Sequence, residues 1–490
     1  MNIVWATSEA APYAKTGGLA DVSYSLPYAL AESGHNVSVF MPYYPQVMGD
    51  KCEDTELVYE LLGVPFGDGE VWAQIRRHKI SENLSFYFIQ FDQFFDRPKL
   101  YDWGGQEYTD NAERFIFLSR AIMQACLALE IKVDVLHAND WHVALCNVYV
   151  KSALYSDYDN FADTKSVMTI HNIGYQGVFN KSNLYWTGLG WDYFNFHCLE
   201  FYDQLNFLKA GVMMADMVTT VSPTYAEEIL SREYGFNLQN SLQHRAVQGK
   251  LRGIINGIDT EEWNPTIDKL IPANFSHEDF TGKAICKAEL QKEFGLEERP
   301  DVPVFGVVSR LADQKGLDVF IECIDEMLRE DDVQIVVLGS GEKWQEDAIR
   351  HYTSAYPGKF GGFVGYSNKL AHLIEAGSDF FVMPSRYEPC GLNQMYSMTY
   401  GTVPIVRATG GLEDTVHNYS ASQLHRATGF KFYDLYADAL RGTMRWAATL
   451  YNNDKPAIDA MRVNGMTVDF SWQHTATEYE ELYKHAKSRF

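Results

Sequence analysis

The amino-acid sequence predicts an α/β protein built from two Rossmann-like halves of similar size. Three observations predict it. Short apolar runs ending in polar or glycine-bearing loops alternate with stretches of helical periodicity. The alternation breaks into a turn-rich stretch over 249–272, with Gly253, Asn256-Gly257 and Asn264-Pro265, and then starts again. The chain has 490 residues, enough for two or three domains at roughly 100 to 200 residues each.

In the first half, Ile3 to Ser8 reads as a buried strand, followed by the loop Lys15-Thr16-Gly17-Gly18 and a helix from Ala20 to Ser33 that Gly34 stops. Val37 to Met41 and Phe86 to Gln90 are further strands. Thr109 or Asp110 can cap a long helix reaching Leu129, with Glu113 near the capping-box position. Val133 to His137, Val167 to His171 and Met217 to Val221 are buried strands, each followed by a polar loop, which argues for an open parallel sheet. In the second half the strands are Val304 to Ser309, Val333 to Leu338, Phe360 to Val364, Phe380 to Pro384 and Val403 to Val406. Helices start near Gly316, Lys343, Asn368, Leu392 and Leu412. A last helix, Gln473 to Lys487, carries Ala476, Tyr479, Leu482 and Tyr483, enough apolar surface to pack back on the body. The boundaries expected are 1–252, 253–472 and 473–490.

Lysine plus arginine is 41 against 65 aspartate plus glutamate, a net charge of −24, which is the wrong sign for coating nucleic acid or an anionic membrane. An anionic small substrate must then be met by cations placed locally. The seven cysteines are spread out with no Cys-x-x-Cys pair and no Cys/His cluster of zinc spacing, as expected of free thiols in a reducing compartment. Without a basic leader, or any stretch of 18 apolar residues, the sequence reads as a soluble cytoplasmic protein. Aromatics, at 14%, could stack on sugars or fill a core, and composition leaves both open.

Ligands of open α/β sheets bind at the carboxyl ends of strands, so the polar residues just after each strand carry the functional expectation. Four segments stand out. Lys15-Thr-Gly-Gly-Leu-Ala-Asp21 joins a cation to glycines that let backbone N–H groups approach an anion, without Walker spacing. Ser309 to Gly316 places Arg310 and Lys315 five residues apart, a pair able to hold a diphosphate. Pro384 to Leu392 lodges Glu388 between two prolines, ahead of a helix start at Gly391 and Leu392 that can face phosphate while the carboxylate takes sugar hydroxyls. His137 to His142 and His171 to Gly177 bring imidazoles, amides and Asp140 to two strand ends, where they suit hydroxyl-rich ligands or serve as structural caps. Two motifs are set aside. Asp157-Tyr158-Asp159 has a metal-binding form but trails a helix, and Gly339-Ser340-Gly341 is followed by Trp344 where a dinucleotide fingerprint needs glycine.

Together these segments resemble the bacterial glycogen synthases and plant starch synthases, glycosyltransferase family 5. The matching residues are Lys15 to Asp21, Asn139-Asp-Trp-His142, His171-Asn172 with Gln176-Gly177, Val221 to Tyr225, and Asn256-Gly-Ile-Asp259 with Trp263-Asn-Pro265. They continue through Ser309-Arg-Leu311 with Gln314-Lys-Gly316, Pro384 to Leu392, and Gly410-Gly-Leu412 with Asp414-Thr415, in order over nearly the whole chain. Departures are Ser367-Asn368-Lys369 after Tyr366, where an acidic residue is usual, and Ile267 in place of threonine.

The resemblance implies a GT-B fold, two facing Rossmann-like domains with the active-site cleft between them and a C-terminal helix crossing back to the first. It implies retaining transfer of glucose from ADP-glucose to the nonreducing end of an α-1,4-glucan, glycogen or a maltooligosaccharide, with no metal and no cofactor. Arg310 and Lys315 would take the charge on the departing diphosphate, helped by Lys15 and the helix start at Gly391 and Leu392. Glu388 would orient the donor glucose, and Asp140, His171 and Asn172 would hold sugar. Gly17, Gly18, Asp21, Asn256, Tyr366 and Cys390 complete the substrate contacts implied. A UDP-glucose-using synthase and a noncatalytic glucan-binding relative are the alternatives; a phosphorylase would need a pyridoxal phosphate lysine and a much longer chain.

Overall fold

The structure, a computed structural model, describes residues 1–489 and divides the chain into two compact units. One is Met1–Gly257 with the segment from Trp472 onward; the other is Ile258–Ser471. The division falls at 257/258 and 471/472 instead of the expected 252/253 and 472/473. Leu251–Gly253 is the reason: it is a strand of the first sheet, paired in parallel with Met217–Thr220, and Ile254 N–H donates to the Thr220 carbonyl at 2.8 Å. The turn-rich stretch is therefore ordered on both sides of the boundary. Beyond it, Trp263 is stacked between His372 and Tyr396 at 3.9 and 4.0 Å, and the Asp268 carboxylate holds His372 at 2.8 Å and the Tyr400 hydroxyl at 2.6 Å.

The first unit is organised on β1 (Asn2–Ala6), β2 (Asn36–Pro42), β3 (Glu56–Phe66), β4 (Gly69–Lys79), β5 (Leu84–Gln90), β6 (Val135–Asn139), β7 (Lys165–Ile170), β8 (Met217–Thr220) and β9 (Leu251–Gly253). They form one sheet in the order β9-β8-β7-β6-β1-β2-β5-β4-β3. The strands from β9 to β5 run parallel, as the sequence suggests, but β3 and β4 form an antiparallel hairpin that extends the edge. The parallel strands read as near-continuous apolar runs because helices cover both faces. The long helix is Asn111–Ala128, and its expected capping residue Asp110 is engaged elsewhere, accepting two hydrogen bonds from Arg97.

A polar ladder crosses the centre of this sheet under the C-terminal helix, Trp472–Arg489. The Tyr483 hydroxyl lies 2.7 Å from His137 Nδ1, His137 Nε2 lies 2.6 Å from Thr169 Oγ1, and Thr169 Oγ1 meets Thr219 Oγ1 at 2.5 Å. His137 is fully buried, and burial pushes its pKa well below the usual histidine value, so it stays neutral. His137 is thus a structural residue that fixes the returning helix, aided by the Lys487–Asp134 ion pair at 2.6 Å.

The second unit carries β10 (Val304–Leu311), β11 (Gln334–Gly341), β12 (Phe360–Val364), β13 (Phe380–Met383), β14 (Val403–Arg407) and β15 (Phe430–Phe432). The order β12-β11-β10-β13-β14-β15, all parallel, is the doubly wound arrangement with its switch point between β10 and β13. In the first sheet the order reverses between β1 and β6. Both switch points fall at loops the sequence singles out.

Tyr483→Phe should leave His137 Nδ1 buried without a partner, at a cost of about 1–3 kcal/mol. A thermal or denaturant melt of the variant should therefore show a lower midpoint; an unchanged midpoint would mean the ladder contributes nothing to holding the helix.

Candidate active site

At the switch point of the second sheet the loops after β10 and β13 part around a cavity of about 190 Å³, lined among others by Arg310, Lys315, Ser385, Glu388, Gly391 and Asn393. Glu388 is buried, and its Oε2 accepts from Lys315 Nζ at 2.7 Å and from Ser385 Oγ at 2.9 Å. Its Oε1 has no partner among the described residues and is open to a ligand donor. Arg310 is exposed at the end of β10 and makes no ion pair among the described residues. The cavity therefore presents one uncommitted guanidinium, an ammonium with donors to spare, and a fixed carboxylate.

The loop from Pro384 to Gly391 is held in place from below. Arg386 forks onto Asp318 at 2.7 and 2.6 Å, its N–H donates to the Gln314 carbonyl at 2.9 Å, and Arg407 donates to its carbonyl. Gln314 Nε2 reaches the Tyr387 carbonyl at 3.2 Å, and Gln394 Nε2 reaches those of Cys390 and Gly391 at 3.1 and 3.0 Å. Two glycines allow the loop to lie this close. Gly316, at φ +65°, would with a side chain place Cβ 2.0 Å from the Pro384 oxygen, and Gly410, at φ +46°, 1.9 Å from the Glu388 oxygen. Ser385, Arg386, Asp318, Arg407, Asn393 and Gln394 have supporting roles that sequence reasoning missed. Cys390 is buried and serves through its carbonyl; Leu392 precedes the short helix Asn393–Thr399. Tyr366 stands 85% exposed after β12 and does not line the cavity.

In the first unit, the switch point gathers the ends of β1, β6 and β7. Asp140, buried and at φ +57°, accepts from the N–H of His171 at 2.8 Å and from that of Asn172. Burial pushes its pKa up to about 7, against the lowering effect of those two amides. Asn139 Nδ2 donates to the Ala6 carbonyl at 3.1 Å, which leaves its Oδ1 to accept from His171 Nε2 at 2.9 Å. His171 is therefore the Nε2–H tautomer, and burial lowers its pKa to about 3, so it offers a neutral ring with Nδ1 as an acceptor. Lys15 and Asp21 pair with each other at 2.6 Å near the surface, and Gly17 and Gly18 open the helix Gly18–Glu32 without a side-chain cap. Asn256 is 6% exposed, with its Oδ1 unpartnered. The Asn172 side chain is committed locally, to the Gly174 amide at 2.9 Å.

His142 is not free for chemistry: it is buried against Trp141 and Tyr101, with ring centroids 4.0 and 4.6 Å away. Asp157 and Asp159 lie exposed in a surface turn, and among the described residues no group of three or more His, Cys, Asp or Glu is placed to hold a metal ion.

The chain is similar to known proteins along its whole length. Residues 2–244 match the family model described as the starch synthase catalytic domain, and residues 289–453 match the one described as glycosyl transferases group 1. Glycogen synthase of Koribacter versatilis is 46% identical over 99% of this chain and 98% of its own, and glycogen synthase 1 of Geobacter sulfurreducens is 44% identical over 99% and 96%. Among solved structures, the catalytic domain of starch synthase IV from Arabidopsis thaliana, bound to ADP and acarbose, superposes with a TM-score of 0.90 at 32% identity, covering 99% of both chains. Sucrose-phosphate synthase from Thermosynechococcus elongatus, at TM-score 0.60 and 17% identity, shares the fold.

Asp140 binds its proton more tightly folded, with a pKa of about 7, than unfolded, near 3.8, so its contribution to stability is lost as pH rises between those values. Asp140→Asn keeps an acceptor for both amides and should gain stability relative to the parent over that window, by a few kcal/mol at its upper end. Parallel denaturant melts across the window check this; parallel curves for the two proteins would count against it. Arg386→Ala should lower kcat about tenfold or more through a looser Glu388 loop while leaving the fold intact by circular dichroism, since misplacing a catalytic loop costs rate before stability.

Proposed function

Because the chain belongs to the family of bacterial glycogen synthases and plant starch synthases, hexosyltransferases of the GT-B fold with two Rossmann-like domains, we propose that it transfers glucose from ADP-glucose to the nonreducing end of an α-1,4-glucan with retention at the anomeric carbon. The observation that carries this reading is the Lys315–Glu388–Ser385 cluster beside the uncommitted Arg310 in the switch-point cavity.

Departure of a nucleoside diphosphate leaves negative charge on its phosphate oxygens. Lys315 spends one of its three N–H donors on Glu388 and keeps two for those oxygens, while Arg310 brings a free fork. Glu388 Oε1 would accept from a hydroxyl of the donor glucose, its position set by the two groups on Oε2. As the sugar–phosphate bond breaks, the bond to the acceptor hydroxyl forms, and that hydroxyl's proton leaves with the diphosphate. From the first unit, Lys15, Asp140, His171 and Asn256 are assigned to substrate, and Asn172 through its Nδ2, its Oδ1 being held by the Gly174 amide; His171 acts as a neutral acceptor oriented by Asn139. Two fixed cations cover the developing charge, so no metal ion or organic cofactor is required in this proposal. That none of the seven cysteines forms a disulfide among the described residues supports a reducing, cytoplasmic setting, and no helix among those residues is long and apolar enough to cross a membrane.

Purified protein given glycogen or a maltooligosaccharide should incorporate labelled glucose from ADP-glucose, and should do so almost unchanged in EDTA. Preference for UDP-glucose would move it to the alternative donor; no incorporation from either would make it a binding protein; a large loss in EDTA would restore a metal to the site. Lys315→Ala should lower kcat about 10²- to 10³-fold, the usual consequence of losing one charge donor to a transition state. A change confined to KM would make Lys315 a uniform binder instead.

A further inference from the structure

Glu9 lies just beyond the end of β1, 2% exposed, and no cation is paired with it among the described residues. Its Oε2 accepts from both the N–H of Thr16, at 2.8 Å, and the Thr16 hydroxyl, at 2.6 Å. Of the amides of residues 15–18, that of Thr16 is the one the described protein holds. We propose that Glu9 is a positioning residue of the site: its buried carboxylate fixes the segment from Lys15 to Gly18 through Thr16, and the strength of that hold follows the ionisation of Glu9.

The geometry separates this role from simple packing. A turn that needed only an acceptor could be held by a neutral amide, which costs far less to bury than an unpaired carboxylate. Glu9 instead faces, from its own segment, Thr7, whose hydroxyl donates to the Glu9 carbonyl at 2.9 Å. It also faces Thr16, Asp21 of the following helix, the Tyr101 hydroxyl, Tyr44 after β2, and Asp140 at the end of β6. The nearby cation, Lys15, is turned to Asp21. Burial and the Asp21 charge push the pKa of Glu9 up to about 7, against the donors from Thr16 and Tyr101. A charged acceptor binds its donors roughly twice as strongly as a neutral one, so protonation loosens Thr16 without releasing it.

The test has two readouts, one of which does not depend on the proposed reaction. Hydrogen exchange at the Thr16 amide, corrected for its intrinsic rate, should lose about tenfold in protection from about pH 8 to about pH 6 in the parent, and should change little in Glu9→Gln. In transfer assays, which rest on the function proposed above, Glu9→Gln should lower the kcat plateau about tenfold and flatten the acid limb below neutrality that Glu9 contributes. Thr16→Val should cost a similar factor at the plateau and Thr16→Ser should restore it, a pair that keeps the proposal open to refutation if the Glu9 variants fold poorly. Protection that is independent of pH in the parent, an unaltered acid limb in Glu9→Gln, or equal rates for Thr16→Val and Thr16→Ser would each overturn it. Parent protein inactive with every donor would count against the transfer reaction, and the exchange measurement would still decide for or against Glu9.

Discussion

A carboxylate taken out of water must be met by donors, and the chemistry of this molecule depends on how that requirement is satisfied at three strand ends. Glu388 meets an ammonium and a hydroxyl, Asp140 meets two backbone amides, and Glu9 meets an amide and a hydroxyl from one residue. The three solutions differ electrostatically. The pKa values of Asp140 and Glu9 rise to about 7 because neutral donors do not offset burial. At Glu388 one of the two donors, the Lys315 ammonium, carries a full charge.

The doubly wound topology explains why these groups sit where they do. Where strand order reverses, the loops on either side turn away from each other and leave a crevice that no helix fills. In the second unit that crevice is the cavity itself. It is shaped by backbone approaching backbone: Gly316 admits Pro384 from one side and Gly410 admits the Glu388 carbonyl from the other. A side chain at either glycine would push the loop, and with it Glu388, by more than a hydrogen bond can tolerate. Rigidity there rests less on the prolines that mark the loop in the sequence than on Arg386, Gln314 and Gln394 beneath it.

The parallel strands and the loops after them were legible because strands buried on both faces are unbroken apolar runs and their ends are abrupt. The β3–β4 hairpin was not, since register shifts between Leu57, Tyr59 and Leu62 break the alternation that would identify an edge strand, and its outer face carries Glu56, Glu60 and Glu70. β15 is three residues long, below what periodicity can detect. Within the site, Lys315 and Glu388 could be picked out separately, but their contact joins residues 73 apart in sequence. The Arg386–Asp318 fork spans 68. Asp110 shows the converse: a residue with the right local signal for a cap is drawn away by Arg97, 13 positions earlier.

The cations are also graded in their commitments, and this orders their tasks. A net charge of −24 repels any anion at long range, but at physiological ionic strength that field is screened beyond roughly 8 Å, so nearby cations govern what an anion meets locally. Lys15 is neutralised by Asp21 in an exposed pair, which salt weakens and which a diphosphate could displace at little cost. Lys315 cannot leave Glu388 without stranding a buried carboxylate, so it is fixed in place and acts with the donors it has left. Arg310 makes no ion pair among the described residues. In the transfer proposed above, Arg310 would therefore meet the leaving group with an unpaired guanidinium and Lys315 with an ammonium already fixed in place by Glu388.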